Sequence, residues 1–366
     1  LAYVEREQLS VEVQVFLEDL FLFHQLKTDS RDYLASAEIA RGVELHREFV
    51  AERFQILDVD GNVMVPRAVE LVWKAPEDGV PLAELMSHQL TFSLSFDPLD
   101  EPPEFLTFLQ RFSDEEAILP SEMTLFVQQE QETEAKPISL RPHKPHTVRL
   151  RWDAPSLDAA DGEARRKSWL AKVKEETLGI TDYSSVYSFL YIEPRQVRLE
   201  ILVPLRTLAQ VLELEHNDDA FFTSDEQTQS VARVGEYFIE GVSITINGVD
   251  TRAKLETCQF FGLEFKDFAK ETRGKDVSMA TGRVGVILSY AYPEVSRSIT
   301  MRWNRFSDSW WSVGVVVIAG EKTEKKTLSR IGNRNQLTWI NDSPPDDSLA
   351  NAFESITAAP PSFRFS

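Results

Sequence analysis

The residues of this chain most able to do chemistry occur in pairs. Arg111-Phe112-Ser113-Asp114 recurs unchanged as Arg305-Phe306-Ser307-Asp308. Identical polar groups in both halves invite a catalytic reading. The structural reading is a turn in which serine and aspartate bond nearby backbone while the arginine pairs with acid. Trp303, Trp310 and Trp311 concentrate aromatics late in the chain. Trp310 and Trp311 are adjacent, so on a strand one of them must face outward, as a platform for a sugar or a protein partner. The alternative is one core residue and one at a domain interface. His143-Lys144-Pro145-His146 sets two imidazoles close together, but Pro142 and Pro145 hold an extended turn and no third ligand stands nearby in sequence. Asp58-Val59-Asp60-Gly61-Asn62 begins like a calcium loop and then fails its spacing, with no glycine at the sixth position and no glutamate at the twelfth. Asp29, Asp32 and Glu38, and in the other half Asp218, Asp219, Asp225 and Glu226, are acids at a helix start; the helix dipole accounts for them, and a calcium site is the alternative. Glu5 with Glu12, and Glu193 with Glu200, stand seven apart on strands and so on opposite faces, which rules out a simple carboxylate pair. No glycine-rich phosphate loop, nucleophile elbow, zinc-helix motif or Cys/His pair occurs. No catalytic residue, metal site or cofactor is expected.

Charge and cysteine usage narrow the partners. Asp plus Glu number 59 against 39 Lys plus Arg, a formal charge of −20, so the long-range field repels nucleic acid and anionic lipid surfaces. Cys258 is alone, so no internal disulfide can form, and Phe260 and Phe261 beside it favour a buried, inert thiol. No apolar run is long enough to insert in a membrane. The first residue, Leu1, suggests a removed signal peptide or a trimmed end. Scarce cysteine with an acidic surface fits an exported protein, periplasmic or extracellular.

The elements that must position these residues come twice. Tyr3, Glu5, Gln8 and Glu12 match Tyr191, Glu193, Gln196 and Glu200 at an offset of 188, and the apolar positions between them match in kind. Leu9, Val11, Val13 and Val15 alternate with polar residues, as a half-buried strand requires. Leu17-x-x-Leu20 follows, matched by Leu205-x-x-Leu208. A helix is predicted over about 32–52 with Ile39, Val43, His46 and Val50 on one face, and its counterpart near 225–240 opens on a capping box at Ser224 to Gln227. Phe49 is aligned with Phe238. Asp60-Gly61 and Asn247-Gly248 are read as two-residue hairpin turns. Leu94 is aligned with Leu288, and each copy is expected to close on a tryptophan-bearing strand, Trp152 matching Trp339. The resulting plan is mostly β (α+β), two tandem β-sandwich-like domains from an internal duplication, each with one inserted helix. The first repeat spans 1–153 and the second 190–341. Between them, 154–189 is an insertion with a charged helix at Glu163 to Thr177. A Pro/Asp/Ser-rich stretch, 342–366, reads as a linker or flexible tail, and a membrane anchor beyond residue 366 would fit it.

The order of strand, Leu-x-x-Leu, acidic loop, helix and Asp/Asn-Gly hairpin, opened by Tyr-Val/Ile-Glu, resembles the extracytoplasmic β-rich domain preceding the membrane helices in HupE/UreJ-like proteins. The likeness covers about the first 65 residues of each copy. It implies an exported β domain. The family's hydrogenase and urease accessory roles involve nickel, but its His-rich membrane segments are absent here, so no functional residue carries over. The expected function is a non-enzymatic exported interaction or scaffold protein working with a protein partner or a membrane-anchored complex. Alternatives are carbohydrate or small-ligand binding through exposed tryptophan or the inter-domain groove, and a hydrolase using acids from loops.

Overall fold

The computed structural model describes residues 1–113, 121–130, 137–155, 162–176, 183–263, 274–308, 310–320 and 322–341. The tail 342–366 and Asp114 lie outside them. The chain divides into two compact units, Leu1–Ala171 and Lys172–Ser366.

In the first unit the elements run β1 (Ala2–Val4), β2 (Leu9–Phe16), α1 (Leu17–Phe23), β3 (Tyr33–Leu34), α2 (Ser36–Arg53), β4 (Phe54–Leu57), β5 (Val63–Met64), β6 (Ala68–Leu71), β7 (Val80–Pro81), a 3₁₀ turn at Leu82–Ser87, β8 (Gln89–Ser95), β9 (Phe105–Gln110), β10 (Met123–Gln129), β11 (Pro137–Leu140) and β12 (His146–Arg149). The charged helix α3 (Gly162–Glu176) crosses the boundary between units. The second unit continues with β13 (Tyr187–Glu193), β14 (Gln196–Pro204), α4 (Leu205–Leu212), β15 (Phe221–Phe222), α5 (Ser224–Gly241), β16 (Val242–Ile246), β17 (Val249–Thr251), β18 (Lys254–Phe261), β19 (Val277–Ser278), β20 (Arg283–Ala291), β21 (Ser298–Trp303), β22 (Ser312–Ala319), β23 (Lys322–Ser329) and β24 (Gln336–Ile340).

The duplication holds strand by strand. The six-stranded sheet β11-β10-β1-β2-β8-β6 recurs as β23-β22-β13-β14-β20-β18, and the four-stranded sheet β12-β9-β4-β5 recurs as β24-β21-β16-β17. In each copy one pair is parallel, β1 with β10 and β13 with β22. Register repeats too: Val11 opposes Leu94 as Leu199 opposes Leu288. The fold is therefore mostly β (α+β), two sandwich-like copies, each with two helices against its core where one was expected: α1 and α2 in the first, α4 and α5 in the second.

Alternation explains the sheets. Leu9, Val11 and Val13 point inward from β2, while Ser10 and Glu12 are half-buried and Gln14 is exposed on the other face. The helix faces fall where spacing places them: Ile39, Val43, His46 and Val50 are buried on α2. That helix starts at Ser36, four residues later than expected, because Asp32 adopts φ +59° in the preceding loop. α1 and α4 stop alike. Gln25 and Glu213 both take φ +48°, and Leu26 and Leu214, both buried, donate back to Phe21 and Ala209.

Four sequence alignments need correction. Phe49 corresponds to Tyr237, since α2 and α5 share the offset of 188, and Val50 takes the place of Phe238. Asn247-Gly248 forms a two-residue turn with both φ positive, whereas Asp60-Gly61 lies in a five-residue loop between Leu57 and Val63. In that loop the Asp58 carboxylate accepts the amides of Asp60 and Asn62, so a side chain rather than a tight turn closes it. Trp152 does not match Trp339. β12 ends at Arg149, and Thr147 opposes Thr107 as Thr338 opposes Thr300, each pair joined hydroxyl to hydroxyl. Val148 is thus the equivalent of Trp339. Finally, Arg111 N–H donates to Arg53 as Asn304 N–H donates to Gly241, so the Arg-Phe-Ser motif of the second copy sits one residue further along its loop.

Candidate functional site

In the second copy the repeated arginine ties the helix to the loop that follows β21. Arg305 lies 4.9 Å over the Tyr237 ring and pairs with Glu240 at 2.9 Å. A Cβ on Gly241 would clash with the Arg305 stem, so glycine ends α5 because the arginine passes there. In the first copy the roles are exchanged. Arg53 from the helix reaches over Phe49 and toward the carbonyl of Arg111. Ser307 accepts the Trp310 amide three residues on, as a turn requires, whereas Ser113 accepts the amide of the more distant Ser121. Asp308 is fully exposed and meets Arg330 at 2.9 Å.

The three tryptophans separate. Trp303 and Trp310 are buried in the second core, and both indole N–H groups donate to the Arg305 carbonyl, at 2.7 and 2.6 Å. Burial removes both from any surface platform. Trp311 is 56% exposed and remains available.

Two clusters emerge that sequence spacing did not assemble. On the face of β14 turned away from the second core, Arg198 pairs with Glu200 at 3.2 Å and lies 4.4 Å over the ring of Tyr191, its cross-strand partner. The Tyr191 hydroxyl bonds Glu200. Burial raises the Glu200 carboxyl above its ordinary range; it outweighs the Arg198 charge, which pulls the other way. Burial likewise raises Tyr191. Ser289, opposite Arg198 on β20, donates to Glu256, whose carboxyl is lowered by that bond and by Lys254. One sheet face thus carries carboxyls shifted in opposite directions, with Ser289 on the strand between them and Arg198 beside Glu200 on its own strand. The period-2 alternation that places Tyr191, Arg198 and Glu200 on one face was legible; their burial was not.

In the first copy His24 Nε2 and His46 Nδ1 stand 3.0 Å apart. His46 projects from α2 into a box of Phe23, Phe49 and Phe92. Burial first, and then the neighbouring His24, lower its pKa to about 3. Its Nε2 finds no hydrogen-bond partner. The second copy has Leu212 and Val234 at these two positions, so the pair belongs to one copy alone.

The remaining candidates are committed elsewhere. His143 Nε2 meets the Ser113 carbonyl at 3.0 Å. Glu226 accepts the amides and side chains of both Thr223 and Asn217, completing a capping box one residue earlier than Ser224. Cys258 is pushed up to about 12 by burial, an inert thiol. Among the described residues no three His, Cys, Asp or Glu side chains gather as metal ligands, and no helix is long and apolar enough to cross a membrane.

No protein-family model matches the chain, and no curated protein matches it. Among solved structures, one titled as manganese lipoxygenase of Gaeumannomyces graminis with part of zonadhesin of Komagataella pastoris aligns over 92% of each chain at 8% identity. Its TM-score of 0.13 carries no argument about fold or function. What stands on its own evidence is the class: a mostly β (α+β) protein of two duplicated units.

Proposed function

We propose that this is a non-enzymatic, exported interaction protein, in which one scaffold is used twice to present different surfaces to a protein partner or a membrane-anchored complex. The observation that supports it is divergence of exposed apolar residues on matched elements. In the first copy Phe16, Leu22 and Leu45 are exposed, where the second carries Pro204, Gln210 and Arg233. In the second, Trp311 is exposed where the first has Ser121. Single exposed apolar residues are ordinary on any surface; what supports partner binding is that these stand in one copy and are replaced in the other. Export rests on the single cysteine, the acidic composition and the HupE/UreJ-like resemblance.

The test is capture by the immobilised full chain. A partner retained by the wild type and lost with Leu22→Glu/Leu45→Glu, at unchanged melting temperature, supports the reading. Retention that is indifferent to these substitutions and to Trp311→Glu overturns it. Carbohydrate binding through Trp311 is the second reading, favoured by its 56% exposure. Glycan-array binding abolished by Trp311→Ala would move the assignment there.

A further inference from the structure

The two copies treat the same sheet edge in opposite ways. In the first, the outermost strand of the six-stranded sheet is β11, four residues long, opening on Pro137 and followed by Pro142. Proline at an edge removes an amide donor, so this edge is closed to another strand. In the second, β23 has eight residues and no proline, and Lys322 to Thr327 are all exposed. Among the described residues it pairs only with β22, apart from a bridge from Ser329 to Arg334 at its far end.

This open edge is also basic within an acidic protein. Residues 322–334 hold Lys322, Lys325, Lys326, Arg330 and Arg334 against Glu324 alone, while the whole chain carries −20. At the corner where β23 ends, Arg330 N–H donates to the Trp311 carbonyl at 3.0 Å, and Trp311 and Ile331 are 56% and 68% exposed. The ion pairs there, Lys326 with Glu324 and Arg330 with Asp308, join half-exposed or fully exposed groups, which water screens.

We propose that β23 and the Trp311/Ile331 corner form a docking edge for an extended acidic peptide segment of a protein partner, which adds to the sheet as a further strand. Backbone amides and carbonyls supply the pairing, the lysines and arginines select acid, and Trp311 with Ile331 receives an apolar residue at the segment's end. A second copy of this chain is the wrong occupant, since β23 against β23 brings together two edges of the same net positive charge. The proposal rests on the interaction reading above and names the partner's chemistry at one of its surfaces.

The probe is a fluorescein-labelled octapeptide alternating glutamate and valine, titrated into the full chain in low-salt buffer and followed by anisotropy. Saturable binding is expected, weakened at least tenfold by Lys326→Glu/Arg330→Glu and by the milder Lys326→Gln/Arg330→Gln, reduced by Trp311→Ala, and accompanied by slowed amide exchange over 322–328. The same peptide N-methylated at alternate residues should not bind. Equal binding of the methylated peptide, indifference to the charge variants, no binding, or binding only of a sulfated oligosaccharide each overturns the proposal. Failure here leaves partner capture through Leu22 and Leu45 intact, so the two readings fail separately.

Discussion

His46 shows how much one buried imidazole can govern. In the folded chain it titrates near 3, and in the unfolded chain near 6.5, so below 6.5 the unfolded state binds the extra proton. Stability is whole above that pH and falls as pH drops, by up to about 1.4 kcal/mol per unit, levelling off near the folded value. His46→Val, which installs the second copy's residue, is expected to flatten the decline of melting temperature between pH 6.5 and 4. It also removes the unpartnered Nε2, a group whose burial costs about 1–3 kcal/mol. An unchanged pH slope in the variant would show that His46 is not the titrating group. Glu200 runs the other way. Its carboxyl is raised, so its neutral form is favoured by folding and stability falls as pH climbs through the unfolded value toward the folded one. Arg198→Met leaves Glu200 buried without its cation and is expected to cost about 3–5 kcal/mol at pH 7. That cost should shrink at pH 4, where Glu200 takes up a proton; chemical denaturation at the two pH values decides it.

At the scale of elements, helix caps differ between copies although the helices match. Glu226 collects four hydrogen bonds at the start of α5, while Glu38, its equivalent on α2, accepts the Lys27 amide at 3.2 Å and otherwise pairs with exposed Arg41. Glu226→Ala is therefore expected to cost about 2–3 kcal/mol and Glu38→Ala less than about 1. Comparable losses from the two, measured by melting, would contradict this. The same contrast shows what could be read in advance. The offset of 188 through β2, α1 and α2 was visible because alternation and helical spacing leave marks in residue type. The matches of Trp152 with Trp339 and of the Arg-Phe-Ser motifs went astray where loops of different length intervene. There a local identity slides, and only backbone pairing, which no residue type records, fixes the register. His24 and His46 stood 22 residues apart with a turn between them, so their meeting depended on how α1 lies on α2. Tyr191, Arg198 and Glu200 were alternate positions on a visible hairpin; what sequence lacked was the burial that shifts the carboxyl.

For the whole molecule, the duplication bears on how folding is organised. One core draws its buried residues from Ala2 to Leu150 and the other from Val186 to Leu337, and among the described residues every strand pair closes within its own copy. Each copy also buries its own aromatic centre, Phe92 and Phe108 in the first and Phe238, Trp303 and Trp310 in the second. Units of about 170–195 residues bury roughly 70% of their unfolded surface, enough for a domain to stand alone. Residues 172–366 expressed by themselves are therefore expected to fold, with tryptophan emission blue-shifted by the burial of Trp303 and Trp310 and one cooperative loss of that signal in urea. The buried indoles make this a specific readout, because both rings pack against Phe238 of α5 and lose that burial when β21 and the helix come apart. A red-shifted, non-cooperative spectrum for the isolated unit would mean that the repeats, though alike in strand order, do not carry their stability separately. Because β23 and Trp311 lie in this unit, its independent folding would also allow the acidic-peptide titration to be repeated on it, free of the exposed apolar residues of the first copy.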